Sequence, residues 1–171
     1  MGNFIQYKRN GRSALNVIHD LDILTQCNIY IGVREDILKI FKNYVYYVSN
    51  HFFVSRSELK RISKFTSLAG IEEVIFPYFL KPKYKKANIM EIFAALILYS
   101  YQDFEAKINL AIHIFDFDGS KSLTEDEFFI MMKCFVVGIS VMTFGCPAEN
   151  EELKKFVDSL YLNRNELKNN E

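Results

Sequence analysis

The sequence predicts an all-α protein of helix–loop–helix units arranged in two lobes, and three observations carry that prediction. Apolar residues recur at intervals of three and four along most of the chain. Capping and breaking residues cut this pattern into helices of ordinary length. One acidic stretch, residues 116–127, has the ligand spacing of a cation loop and lies between two such helices.

The elements follow in order. Residues 1–33 read as an irregular or partly helical N-terminal extension, with Asn10-Gly11 a turn signal. From 35 to about 49, Ile37, Ile40, Phe41, Tyr44, Val45 and Val48 make one helical face, and residues 58–65 repeat the signal briefly. A short helix over 71–80 runs into LKPKYKK, whose proline and lysines read as a loop. Asn88 can cap an apolar helix over 89–101, and Asp103 can cap the next, where Phe104, Ile108, Ala111, Ile112 and Phe115 share a face. A long apolar helix starts near Glu125, Pro147 interrupts the pattern, residues 151–161 form a last amphipathic helix, and 163–171 are a polar tail. No strand longer than two or three residues is expected. The division is an extension (1–33), a first helix–loop–helix pair (34–101), a second unit (102–162) and the tail.

Composition narrows the function classes. Half of the 171 residues are hydrophobic and 15% are aromatic, enough for real cores. The 21 basic and 21 acidic residues cancel, so no overall positive field recommends nucleic acid as a partner. Cys27, Cys134 and Cys146 lie far apart, without CxxC or a histidine at ligand spacing, and read as reduced, mostly buried cytoplasmic thiols. The start, MGNFIQYKRNGR, has neither apolar core nor cleavage site, so no secretory signal is expected. Gly2, with Lys8, Arg9 and Arg12 near it, is a candidate for acylation, against which stands Gln6 where a hydroxyl residue is expected. The run 128–146 approaches membrane-spanning length, but Lys133 lies inside it, so a soluble helix is expected and membrane contact is not favoured.

The chemistry lies in DFDGSKSLTEDE. A hard cation such as calcium takes six to eight oxygens, which alternate residues of a tightly curled loop can aim inward. Asp116, Asp118 and Ser120 stand at positions one, three and five; Ser122 at seven offers its carbonyl; Thr124 at nine acts through water; Glu127 at twelve can bind through both oxygens. Leu123 at eight is apolar, and Phe115 and Phe128 flank the loop. Position six, where the chain turns with positive φ, is Lys121 rather than glycine, at a cost on the order of 1 kcal/mol. With three carboxylates and a nearby lysine, one weak calcium site is expected, about micromolar or looser, with magnesium as an alternative occupant.

Two degenerate relatives of this loop precede it. Residues 47–58 keep an apolar eighth position, Val54, and Glu58 at twelve, but hold Tyr47 and Ser49 at one and three. Residues 80–91 end on Glu91, with Leu80, Pro82 and Tyr84 at the ligand positions. Neither is expected to bind metal. A fourth loop would begin near Asn163 and place its twelfth position beyond Glu171, so it is vestigial or the chain continues.

The motif DFDGSKSLTEDEF, with the helices on either side, resembles the EF-hand superfamily. The spacing over residues 35–161 is most similar to its neuronal calcium sensor and calaxin branch. The resemblance implies a calmodulin-like fold, calcium ligands at Asp116, Asp118, Ser120, Ser122, Thr124 and Glu127, and no catalysis. It also implies a target helix held in a hydrophobic groove, with axonemal or other cytoskeletal assemblies, or membranes, as settings. Against a strong calcium switch stand Lys121, the two silent loops, the missing fourth loop and the neutral composition.

No glycine-rich phosphate loop, GxSxG or HExxH is present, and His19, His51 and His113 are scattered, so no enzyme is expected. The helix after the acidic loop is apolar nearly all round. Phe128, Met131, Met132, Phe135, Val136 and Ile139 are expected inside, and Phe129, Ile130, Val137 and Val141 are expected to face another lobe or a partner. Lys81, Lys83, Lys85 and Lys86 could meet an acidic protein surface or anionic lipid. The leading expectation is a calcium-binding regulatory or adaptor protein. The alternatives are a constitutive structural subunit that hardly senses calcium, and a membrane-associated sensor.

Overall fold

The computed structural model describes residues 34–48 and 51–144, together with the helical positions 151, 155 and 159. The extension, the polar tail, Gly2, Cys27 and Cys146 lie outside the described residues, as does most of the helix expected over 151–161. Among the residues described from 34 to 144, six helices and three very short strands follow one another: α1 Arg34–Tyr47, β1 Phe53–Val54, α2 Arg56–Ser63, α3 Ile71–Phe79, β2 Leu80–Lys81, β3 Lys86–Asn88, α4 Ile89–Tyr99, α5 Phe104–Phe115 and α6 Glu125–Phe144. The mostly helical class expected from periodicity is what the chain adopts.

Each boundary has a local cause. Ser55 accepts from the Glu58 amide while Glu58 accepts from the Ser55 amide, a reciprocal cap that starts α2. Pro77 lies in α3, where its missing N–H weakens the last turn, and the helix ends two residues later. Asn88 and Asp103 cap α4 and α5 through the amides of Met90 and Ala106, the roles their positions suggested.

The three strands form one antiparallel sheet in the order β1-β3-β2. Val54 stands opposite Ala87, and Leu80 opposite Ala87 on the other side. The segment LKPKYKK, expected as a loop, is therefore a hairpin. Its turn is tied by the Tyr84 and Lys85 amides, which both donate to the Lys81 carbonyl at 3.0 Å, and Lys85 takes φ +50°.

Helix α4 lies at the centre and is buried on all sides from Ile89 to Ile97. Phe41 and Tyr44 of α1 meet its Phe93 edge-on, with ring centroids 5.6 and 6.0 Å apart. Its most extensive partner is α6. The two helices come together where a Cβ added at Gly138 would stand 3.2 Å from the Ala95 amide nitrogen. This approach decides which face of α6 is inside. Cys134, Val137, Gly138 and Val141, spaced three and four apart, line the seam with Met142 beside them.

The facing expected for α6 is thereby corrected in part. Val137 and Val141, expected to face another lobe or a partner, are 5% and 1% exposed and lie in the seam with α4, within residues 34–101, so the partner alternative is excluded for them; Ile139, expected inside, is 45% exposed. Phe129 is half-buried against the core and Ile130 is exposed. A helix apolar all round carries no facing signal in its periodicity, and the glycine that lets two backbones approach chooses the seam. Burial, with the nearby Glu91 carboxylate adding to it, pushes the Cys134 thiol up to about 12, so this cysteine is an inert packing residue. The buried side chains of α1 to α6 form one continuous cluster. Among the described residues no helix is long and apolar enough to cross a membrane.

Candidate metal centre

Three carboxylates converge between α5 and α6. One oxygen from each of Asp116, Asp118 and Glu127 lies within 4.8 Å of the other two. Oxygens on opposite sides of a calcium ion stand about 4.6–5.2 Å apart, so the three fit around one such ion. The set is all oxygen and carries three formal negative charges, which suits a hard cation.

The loop curls around its own carboxylates. Asp116 accepts from the amides of Ser120 (3.0 Å) and Lys121 (2.9 Å), and Asp118 accepts from Ser120 at 2.9 Å. Glu127 is buried; one of its oxygens accepts from the amides of Phe117 (2.7 Å) and Asp118 (3.2 Å). The other accepts from the Thr124 amide and hydroxyl, both at 2.9 Å, while the Glu127 amide donates back to that hydroxyl. The first turn of α6 is thus capped as α2 is, with Thr124 and Glu127 in the roles of Ser55 and Glu58.

These donors favour the charged carboxylate. Hydrogen bonds from the Thr124 amide, then from its hydroxyl and from the Phe117 and Asp118 amides, hold the Glu127 carboxyl below its usual range, against an opposing effect of burial. Ser120, by hydroxyl and amide, lowers Asp118 likewise. Both groups are anionic at neutral pH, the state a cation requires. The turn is made by Gly119 at φ +73° and Lys121 at φ +65°. Lys121 therefore adopts the left-handed conformation that its place in the loop demands.

Of the six residues expected as ligands, Asp116, Asp118 and Glu127 are brought together directly. The Ser120 hydroxyl donates to the Ser122 carbonyl at 2.9 Å, and the Thr124 hydroxyl is held by Glu127. Ser120 and Ser122 thus lie beside the aspartates, and Thr124 beside Glu127. Leu123 is half-buried against the core, and among the described residues no strand pairs with it.

The earlier loops keep the same frame without the carboxylates. In 80–91 the sixth residue, Lys85, has positive φ, as Lys121 does. The eighth, Ala87, is hydrogen-bonded in register with Val54, the eighth of 47–58. The ninth residues, Ser55, Asn88 and Thr124, cap the helices that follow. The twelfth, Glu91, is buried, and the Lys81 ammonium lies 2.9 Å from it, off the line of a hydrogen bond, so the contact is one of charge. Lys81 is thus an internal counter-ion. Lys83 and Lys85 are exposed, and Lys86 is half-buried within electrostatic reach of Glu58.

Two contacts had no clear sequence signal. Phe117, second in the acidic loop, packs on Phe52 just before β1, with centroids 5.7 Å apart, and so joins loops far apart in the chain. The Lys81–Glu91 pair was hidden because all four lysines of the segment look alike. The Val54–Ala87 pairing had one: both are apolar eighth residues. His113 lies on the exposed side of α5 with its ring 6.0 Å from Phe41. Comparison with family models, with curated proteins and with solved structures found no match for this chain.

Proposed function

We propose that the chain is an EF-hand protein that holds one calcium ion weakly at residues 116–127 and serves as a non-catalytic regulatory or adaptor module. The observation that carries this reading is the convergence of the Asp116, Asp118 and Glu127 carboxylates on a loop whose sixth residue is in the left-handed conformation. Ser120, Thr124 and the Ser122 carbonyl are the further oxygens within the loop, and magnesium is the competing occupant. The strand pairing of Val54 with Ala87 supports reading 47–58 and 80–91 as a pair of silent hands. A protein helix is the partner that exposed Ile139, with half-buried Met132 and Phe135 on the same side of α6, would suit.

A second reading, a constitutive structural subunit that hardly senses calcium, has its own support. Glu127 already closes the loop through four hydrogen bonds to Phe117, Asp118 and Thr124. The inner face of α6 is locked against α4 at Gly138, which resists a large opening. Calorimetric titration of calcium into the whole chain separates the readings when an apolar dye is followed in parallel. Saturable heat below about 10 μM together with dye binding supports the sensor. Saturable heat without dye binding supports a structural ion, and no heat at millimolar calcium overturns the metal site.

A further inference from the structure

The hairpin β2–β3 carries a surface that the metal loop does not explain. Residues 80–88 contain four lysines and no acid. Lys81 is paired with Glu91, and Lys86 is half-buried with Glu58 in electrostatic reach. The two at the turn, Lys83 and Lys85, are exposed and have no acidic partner among the described residues. Between them Tyr84 is 58% exposed, with the Lys83 ammonium 5.4 Å from its ring centroid. The Phe53 ring of β1 packs on Tyr84, with centroids 5.9 Å apart, and is 38% exposed.

We propose that this tip, Phe53, Lys83, Tyr84 and Lys85, is a docking site for the surface of an anionic lipid bilayer. The occupant is chosen by charge and shape together. Two unpaired ammonium groups flank two aromatic rings on a tight, convex turn, whereas the open edges at β1 and β2 are two residues long, too short to seat a peptide strand. A bilayer surface offers phosphate and carboxylate to the lysines and, a few ångströms deeper, apolar boundary to the rings, which is where tyrosine and lysine stems settle. Each lysine beside an anionic surface adds about fivefold to partitioning, so the tip gives weak, salt-sensitive attachment. The site is independent of calcium at residues 116–127 and stands or falls without it.

The chain has no tryptophan, so Tyr84→Trp supplies a single indole at the tip. The whole chain is mixed with vesicles of phosphatidylcholine alone, or with about 30% phosphatidylserine, and followed by sedimentation and emission. The expected result is pelleting and a blue shift only on the anionic vesicles, with both lost in high salt. Lys83→Gln with Lys85→Asn, a residue that accepts positive φ, should weaken binding about 25-fold with an unchanged melting temperature. Lys83→Gln alone, about fivefold, serves if the double variant does not fold. Equal partitioning to both vesicles, no blue shift, or no effect of the lysine variants overturns the proposal. So does a blue shift with soluble poly-glutamate and none with vesicles, which would assign the tip to an acidic polypeptide.

Discussion

Residues 80–91 and 116–127 are loops of equal length that begin and end alike and close around different things. Both turn at a sixth-position lysine with positive φ, both cap the next helix from the ninth residue, and both place a glutamate in that helix's first turn. In the first, strand pairing to Leu80 and Val54 braces the backbone and the Lys81 ammonium answers the buried Glu91 carboxylate. In the second no strand forms among the described residues, and Glu127 is answered only by N–H and O–H donors while two aspartates stand beside it. A helix–loop–helix shape needs its terminal carboxylate satisfied, and a built-in cation or an external one can do that. Where the cation is built in, the loop has nothing left to sense.

Glutamate substitutions test that contrast most sharply. Glu127→Gln should weaken calcium binding on the order of 100-fold, because the carboxylate that can supply two oxygens is lost. Glu91→Gln and Glu58→Gln should leave the calorimetric stoichiometry untouched. A change of stoichiometry in either would break the proposed division between silent and metal-binding loops.

Lys81→Met should cost about 2 kcal/mol, less than a fully buried pair because the lysine is 32% exposed. Most of that loss should return in the Lys81→Met, Glu91→Gln double variant, since the uncompensated charge is then gone. Denaturant melts of the four proteins of this cycle give the coupling, and near-additivity would show that the ammonium is not the counter-ion.

Acid should act on the capped glutamates and the loop aspartate. Glu58 is lowered first by the Ser55 amide and Glu127 by the Thr124 amide, and Asp118 is lowered by Ser120. Carboxyls lowered in the folded state contribute stability above their ordinary pKa values, 4.5 for Glu and 3.8 for Asp, and lose it as pH falls through the lower folded values. The melting temperature of the metal-free chain should be flat from about pH 7 to 5 and fall below about 4.5. A rise on acidification would contradict the assigned bonds.

The smallest effect concerns the two turning lysines. Lys121→Gly and Lys85→Gly should each stabilise the metal-free protein by up to about 1 kcal/mol, reduced by the extra freedom of glycine in the unfolded chain. The gain is read in thermal melts of the metal-free protein, and no shift on either substitution would contradict a strained turn at these lysines.

Much of this was legible before the structure. Asn88 and Asp103 are caps because short polar side chains before an apolar run have one favourable use. The carboxylates of residues 116–127 converge because their spacing follows from the curl of a loop between two helices. The facing of α6 was not legible, since Val137 and Ile139 are equally apolar and only the approach of Gly138 to Ala95 distinguishes them. Nor was the role of LKPKYKK, where one lysine turns inward and two stay in solvent.

The sequence alone determined the helical class, the caps, the acidic loop and the turn at Lys121, because each is a local matter of spacing, charge and backbone preference. The tertiary structure decided the seam of α6, the pairing of Val54 with Ala87, the Phe52–Phe117 contact and the choice of Lys81 as counter-ion. Those depend on which distant segments are brought together, and close packing selects one arrangement among side chains that composition leaves equivalent.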